Sequence, residues 1–283
     1  MRFEMEEDRK RREMTRREFM EYSALLGISA AVPFGAVGLL SPEAHASSCA
    51  EKGGLDFDET KYVKVSFTNC FLLPCDGGYL QIDVSYPNDY GKYLKGLSDV
   101  DVKLSDIKYL LLTHHHDDHA GFAAEFLRNT EAKLIVHENA LPYLEEGKSE
   151  EESVPLNGCV KVILGAFSIF HEFVFPPVIP REDDYIVSGD DSKILKDIGI
   201  DGKIIYTPGH TDDSISVVLS DGSAFVGDVA MDLMNICGCK HRPIYIQDID
   251  EVYRSWERLK KAGAKIIYPA HGKPFLVEEL IPI

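Results

Sequence analysis

The sequence predicts an α/β fold in which mixed sheets are covered by helices. Short apolar runs bounded by turn residues alternate with amphipathic helical stretches, hairpin signals interrupt that alternation, and no linker or low-complexity tract divides the chain beyond residue 46. With 283 residues, 45% of them hydrophobic, the chain can bury one large core.

The elements follow in order. "KYVKVSFTNCFLLPC" (61–75), "DGG" (76–78) and "YLQIDV" (79–84) read as strand, turn and strand, because Asp-Gly between apolar runs is a hairpin signal. "IKYLLLT" (107–113) is a buried strand, "DHAGFAAEFLRNT" (118–130) a helix opening at Asp118, and "AKLIVH" (132–137) the next strand. "GKIIYTPGH" (202–210), "SISVVLS" (214–220) and "SAFVGDV" (223–229) repeat the strand and hairpin theme. "DIDEVYRSWERLKKAG" (248–263) is amphipathic at the helical period, and "AKIIYPAHG" (264–272) is a last strand running into a loop.

The amino terminus, residues 1–46, reads as a separate segment. Arg16 and Arg17 precede a weakly hydrophobic stretch (22–40) and the A-x-A pattern Ala44-His45-Ala46, an arrangement that resembles a twin-arginine export signal. The expected partner is therefore the twin-arginine export machinery and the expected location periplasmic or otherwise extracytoplasmic. Two anchored alternatives stand beside cleavage: the apolar stretch could remain in a bilayer, or Cys49 at the end of "ASSC" could carry lipid. Of the other cysteines, Cys70 and Cys75 are separated by about 17 Å of extended chain and should not pair. "CGC" (237–239) lacks a second cysteine pair at structural-zinc spacing, so it reads as small loop residues or a disulfide partner. A net charge of −17 with no basic stripe disfavours nucleic acid and leaves a small-molecule substrate.

The polar residues fall at particular places on this frame. Asp83, the cluster "THHHDDHAG" (113–121), His210, Asp228 and His271 each follow an apolar strand, at the carboxyl edge where loops of α/β sheets build sites. In an extended segment His114 and His116 project to one side and can share a cation. Asp118 and His119, at the turn into the helix, can address a second. Each ion still lacks donors, and His210, Asp228 and His271 are of the types that zinc takes.

Taken together these motifs resemble the metallo-β-lactamase superfamily over residues 61–275: H-x-H-x-D-H at 114–119, "TPGHT" with His210, "FVGD" with Asp228, "PAHG" with His271, and Asp83 as the first motif aspartate. The resemblance implies a four-layer αββα sandwich of two mixed sheets spanning the catalytic domain, residues 47–283. It implies that His114, His116 and His210 hold one metal ion, that Asp118, His119 and His271 hold the other, that Asp228 bridges them, and that Asp83 steadies the site. His115 and Asp117, the variable positions, are expected to face solvent or the substrate rim, and His137 to cap the following helix. His45, His171 and His241 match no ligand pattern. The aromatic stretch 167–177 is expected to pack in the core.

The implied activity is hydrolysis with two divalent cations, zinc first and iron or manganese as alternatives. Water shared by two cations loses its proton near neutral pH, which supplies a hydroxide nucleophile, with Asp118 orienting it and shuttling its proton. No G-x-S-x-G elbow is present to supply a serine instead. A bridging aspartate argues against a true β-lactam hydrolase, only 12 residues after His271 argue against a glutathione-thioester hydrolase, and the missing clamp and basic surface argue against nucleic-acid processing. Esters, lactones and thioesters remain. A β-lactam hydrolase, a di-iron redox protein and a non-catalytic metal-binding protein are the alternative readings.

Overall fold

The computed structural model describes residues 60–150, 153–168 and 172–283. The signal or anchor segment, Cys49, His45 and His171 lie outside the described residues. Along the chain run β1 (Lys61–Val65), β2 (Thr68–Cys75), β3 (Gly78–Ile82), α1 (Tyr90–Asp99), β4 (Ile107–Leu111), α2 (Asp117–Ala120), α3 (Ala123–Arg128), β5 (Lys133–His137) and α4 (Leu141–Glu146). There follow β6 (Val154–Pro155), α5 (Gly158–Ser168), β7 (Tyr185–Val187), α6 (Ile194–Asp197), β8 (Gly202–Tyr206), β9 (Ile215–Leu219), β10 (Ser223–Phe225), β11 (Tyr245–Ile246), α7 (Ile249–Lys261), β12 (Ile266–Tyr268) and β13 (Phe275–Leu276).

Two mixed sheets result, ordered β1-β2-β3-β4-β5-β7 and β13-β12-β10-β9-β8, with a small β11-β6 ribbon beside them. Strand alternation assigns each face. Phe71, Leu73, Leu80, Ile82 and Leu111 meet Ile204, Ile215, Val217, Phe225 and Tyr268 in one core between the sheets. The opposite face of the first sheet, with Cys70, Leu72, Leu110 and Leu134, packs on Tyr93 and Leu97 of α1 and on Phe122 and Phe126. Ile205, Val218, Ala224 and Ile267 of the second sheet pack on Val252, Trp256 and Leu259 of α7. Helix, sheet, sheet and helix make the expected four layers. Helix α7 also has matched ends: the Asp248 side chain accepts from the backbone N–H of Asp250 and Glu251, and Arg258, Lys260 and Lys261 occupy the last turn.

Three local expectations need correction. Residues 61–75 form two strands, because Ser66 turns the chain at φ 53° and Val65 pairs with Thr68. The Ser66 hydroxyl donates to Asp89 Oδ2 at 2.7 Å, which holds the turn from 23 residues away. The helix expected to open at Asp118 starts one residue earlier and is split in two. At the split, the Phe122 N–H donates to Ser85 O rather than up the helix, and the backbone passes so close that a Cβ on Gly121 would lie 2.2 Å from Asp117 O. The last strand, β12, continues into a hairpin with β13.

Cys70, Cys75 and Cys239 are free, and Cys159 of α5 is bonded to Cys237, so the first cysteine of "CGC" is a disulfide partner. Of the aromatic stretch, Phe175 packs in the core and Phe173 is half-buried; residues 169–171 and the side chains of 167 and 168 lie outside the described ones. No described helix is long and apolar enough to cross a membrane.

Candidate metal centre

Strand direction gathers the polar residues. β3 and β4 are parallel, β10 and β12 are parallel, and β8 runs with β10 because both are antiparallel to β9. The residues just past these five strands, Asp83, His114, Asp228, His271 and His210, therefore emerge at carboxyl ends. The two sheets are stitched together at this edge. Asn69 of β2 donates its backbone N–H to Ala270 O and its side-chain amide to Pro269 O and Gly272 O, which seats the His271 loop, and Ile215 N–H donates to Thr113 O.

Two glycines permit the close approach. Gly209, before His210, sits at φ 127° with Val252 N 2.4 Å from where a Cβ would be; Gly227, before Asp228, sits at φ 53° with Thr113 Oγ1 at 2.4 Å. Asp83 itself adopts φ 55°, a conformation few non-glycine residues take. It is held by the Thr113 N–H and hydroxyl, each donating to its carboxylate at 2.7 Å.

Two convergent donor groups result. His210 Nε2 lies 3.1 Å from His114 Nε2 and 3.1 Å from His116 Nδ1. His119 Nε2 lies 3.2 Å from His271 Nε2, which is 3.2 Å from Asp118 Oδ2. Nitrogens bound to one tetrahedral ion at about 2.0–2.1 Å stand about 3.3 Å apart, close to these separations. Asp228 faces both groups: Oδ2 is 3.8 Å from His210 Nε2 and 3.4 Å from His271 Nε2, and Oδ1 is 3.5 Å from His119 Nε2. That Oδ1 is buried without a hydrogen-bond partner, a cost that an ion between the groups would remove.

Every outward ring nitrogen is engaged. His119 Nδ1 bonds Asp83 Oδ2 at 2.9 Å, His210 Nδ1 bonds Tyr245 O at 2.8 Å, His271 Nδ1 bonds Phe67 O at 2.9 Å, His114 Nδ1 meets the Thr113 hydroxyl at 3.1 Å, and His116 Nε2 meets Glu150 Oε2 at 2.5 Å. An acceptor on the far nitrogen fixes the tautomer whose lone pair points at the centre. All seven residues expected as ligands thus come together, and Asp83 stands behind His119.

Electrostatics divide the two groups. Burial and the neighbouring His116 push His210 down to about 4, and burial with His119 and His116 pushes His114 well down. Burial opposes charge on His119 and His271 too, but Asp228, Asp83 and Asp118 outweigh it at His119, and Asp228 and Asp118 at His271, so both are raised. A ring protonated in the metal-free protein must lose its proton to bind an ion. Near pH 7, loading the Asp118/His119/His271 group should therefore release protons and tighten as pH rises, whereas His114 and His210 are already neutral and release none. Calorimetric titration in buffers of different ionisation enthalpy checks this; equal proton release in both binding steps would contradict it.

His115 and Asp117 are corrections. Both are buried rather than facing solvent or a rim. His115 bonds Asp213 Oδ1 at 2.9 Å and Glu150 Oε2 at 2.8 Å and stacks on Tyr143, with its ring centroid 5.2 Å from that of His116. Asp117 exchanges two hydrogen bonds with Ser149. His137 caps the following turn, accepting from Asn139 N–H at 3.2 Å, and His241 stacks on Phe275 away from the centre. Glu150, Asp213 and Thr113 are the residues that sequence reasoning missed.

Residues 63–271 match the Metallo-beta-lactamase superfamily profile. The chain belongs to that superfamily. It is 24% identical over 208 residues to the probable metallo-hydrolase YqjP of Bacillus subtilis, covering 63% of this chain and 58% of that one. It is 29% identical over 180 residues to the metallo-beta-lactamase fold-containing protein ST1585 of Sulfurisphaera tokodaii, covering 62% and 66%. It spans under two thirds of either relative's length. BJP-1, a subclass B3 metallo-beta-lactamase of Bradyrhizobium japonicum, superposes with a TM-score of 0.53 at 23% identity over 76% of this chain and 75% of that one, a likeness of fold. The superfamily and the His/Asp clusters together suggest divalent metal ions.

Proposed function

We propose that this chain is an exported dinuclear metal-dependent hydrolase of carbonyl substrates: esters, lactones or thioesters. The observation that carries the reading is Asp228, a buried carboxylate with one oxygen that lacks a hydrogen-bond partner, facing two convergent donor groups at once. His114 Nε2, His116 Nδ1 and His210 Nε2 would hold one ion, and Asp118, His119 Nε2 and His271 Nε2 the other, with Asp228 shared. This nitrogen and oxygen set suits zinc, with iron and manganese as alternatives. When bound, such a pair supplies Lewis acidity and an activated water.

The residues themselves do the rest. Asp118 is the most open of the seven, its side chain 20% exposed against 6% for Asp228 and 5% for His271. Although burial opposes it, the charge of His119 and His271 keeps Asp118 ionised, so its partly exposed carboxylate can orient a water and pass a proton toward solvent. Asp83 holds His119, and Tyr245 O holds His210, against rotation as charge develops.

An acidic chain repels polyanions and tolerates a neutral or weakly anionic carbonyl compound. Purified protein assayed on lactones, esters, thioesters, phosphodiesters and cephalosporins should favour the first three, lose turnover with chelator and regain it with zinc. Phosphodiester cleavage of higher catalytic efficiency, or activity that survives complete chelation, would refute the proposal; cephalosporin turnover above the others would favour the β-lactam alternative.

Export through the twin-arginine route belongs to the same proposal. It is supported by the Arg16-Arg17 pattern and by the Cys159–Cys237 bridge, a bond typical of oxidising compartments. Arg16→Lys with Arg17→Lys should abolish export while the protein still folds in the cytoplasm. Cell fractionation with equal amounts of both forms outside the cytoplasmic membrane would contradict it.

A further inference from the structure

Behind His116 lies a buried polar chain outside the family motifs. Glu150 Oε2 sits 2.5 Å from His116 Nε2 and 2.8 Å from His115 Nε2, its Oε1 accepts from the Ser153 hydroxyl, and His115 Nδ1 bonds Asp213 Oδ1 at 2.9 Å. Glu150, His115, Ser153 and Asp213 are all buried. A buried carboxylate is costly unless its lone pairs are taken, and here both Glu150 oxygens have donors. We propose that Glu150 is a positioning residue for His116, holding its Nε2–H so that Nδ1 points at the space shared with His114 and His210, while His115, Asp213 and Ser153 hold Glu150.

The proposal rests on reading His116 as a metal ligand. His116 differs from its neighbours in presenting Nδ1 rather than Nε2, so its ring must be locked in one of two flips and one of two tautomers. A carbonyl or hydroxyl would lock it too, but a carboxylate also makes the opposite nitrogen a stronger donor. His115 anchors that carboxylate. Its two nitrogens face two carboxylates, and its ring lies flat on Tyr143 with centroids 4.0 Å apart and planes 10° apart, so it cannot turn without breaking both bonds. The segment is further docked by Ser149, which exchanges two 3.1 Å hydrogen bonds with Asp117. His115, His116 and Glu150 could also be read as a third ion site. Their separations of 2.5 and 2.8 Å are hydrogen-bond distances, shorter than the about 3.3 Å between donors sharing one ion.

The test uses the purified chain loaded with zinc for chelator competition and with cobalt(II) for its electronic spectrum. In Glu150→Ala one phase of the competition curve should shift to about 10–100-fold weaker affinity and the cobalt bands should move, while the other phase stays in place. Glu150→Gln keeps an oxygen that can accept the His116 proton and should fall between the two. If neither variant folds, Ser153→Ala decides: it removes only the hydroxyl on Glu150 Oε1 and should weaken the same phase about 2- to 10-fold. Two ions in the wild type with unshifted affinity and unmoved bands in the folding variants would overturn the proposal alone. A wild-type chain that binds no ion would overturn the metal-centre reading itself.

Discussion

His116→Ala should abolish turnover, whereas His137→Ala should leave catalytic efficiency nearly unchanged. Both are buried histidines, His137 ending β5 and His116 in the loop that follows β4, so residue type and burial do not separate them. Their partners do. His116 Nδ1 lies 3.1 Å from His210 Nε2 at the centre of the donor group, and its loss leaves only two imidazoles and the shared Asp228 carboxylate where the intact group offers four donors to a tetrahedral ion. Since losing a partner behind a ligand costs about 10–100-fold, losing the ligand should cost more than about 100-fold in kcat/KM. His137 accepts from Asn139 N–H and stacks on Tyr206 with centroids 4.5 Å apart, so its loss should cost stability of about 1–2 kcal/mol and little chemistry. Steady-state kinetics and thermal melts of the two variants check this. Equal damage to kcat/KM would mean that the site has been misplaced.

Asp228→Ala should lower bound metal from about two ions per chain to about one or fewer. Its two oxygens reach both donor groups, so its removal takes an anionic donor from each. Although burial opposes ionisation, His271 and His119 hold this carboxyl down at about 2, so it is charged throughout the neutral range and needs no deprotonation to bind cations. Asp228→Asn keeps shape but not charge and should fall between wild type and alanine. Elemental analysis after gel filtration reads the stoichiometry directly. Unchanged metal content in Asp228→Ala would refute the shared role.

How much was legible in the sequence depends on how local each determinant is. Asp83, His114, His210, Asp228 and His271 could be found because each follows its strand within one to four residues, and an apolar run announces the strand. Glu150 could not. It lies in the acidic run Ser149-Glu150-Glu151-Glu152, which by itself resembles a solvated loop, and only its hydrogen bonds to residues 34 and 35 positions earlier reveal it as buried. His115 was misread for the same reason, since its carboxylate partners come from segments 35 and 98 residues away. The turn at Ser66 carries no glycine, asparagine or proline signal and depends on Asp89. Helix α1 went unread as well: its buried Tyr93, Gly96 and Leu97 make a narrow stripe, and the Tyr93 hydroxyl donates to Gln81 Oε1 of β3 at 2.7 Å.

The most direct test of the account is anomalous diffraction from crystals of the zinc-loaded protein, recorded on both sides of the metal absorption edge. Two peaks are predicted: one among His114 Nε2, His116 Nδ1 and His210 Nε2, the other among Asp118, His119 Nε2 and His271 Nε2, with Asp228 touching both. A single peak, a peak between His115 and Glu150, or no peak within reach of Asp228 would contradict it.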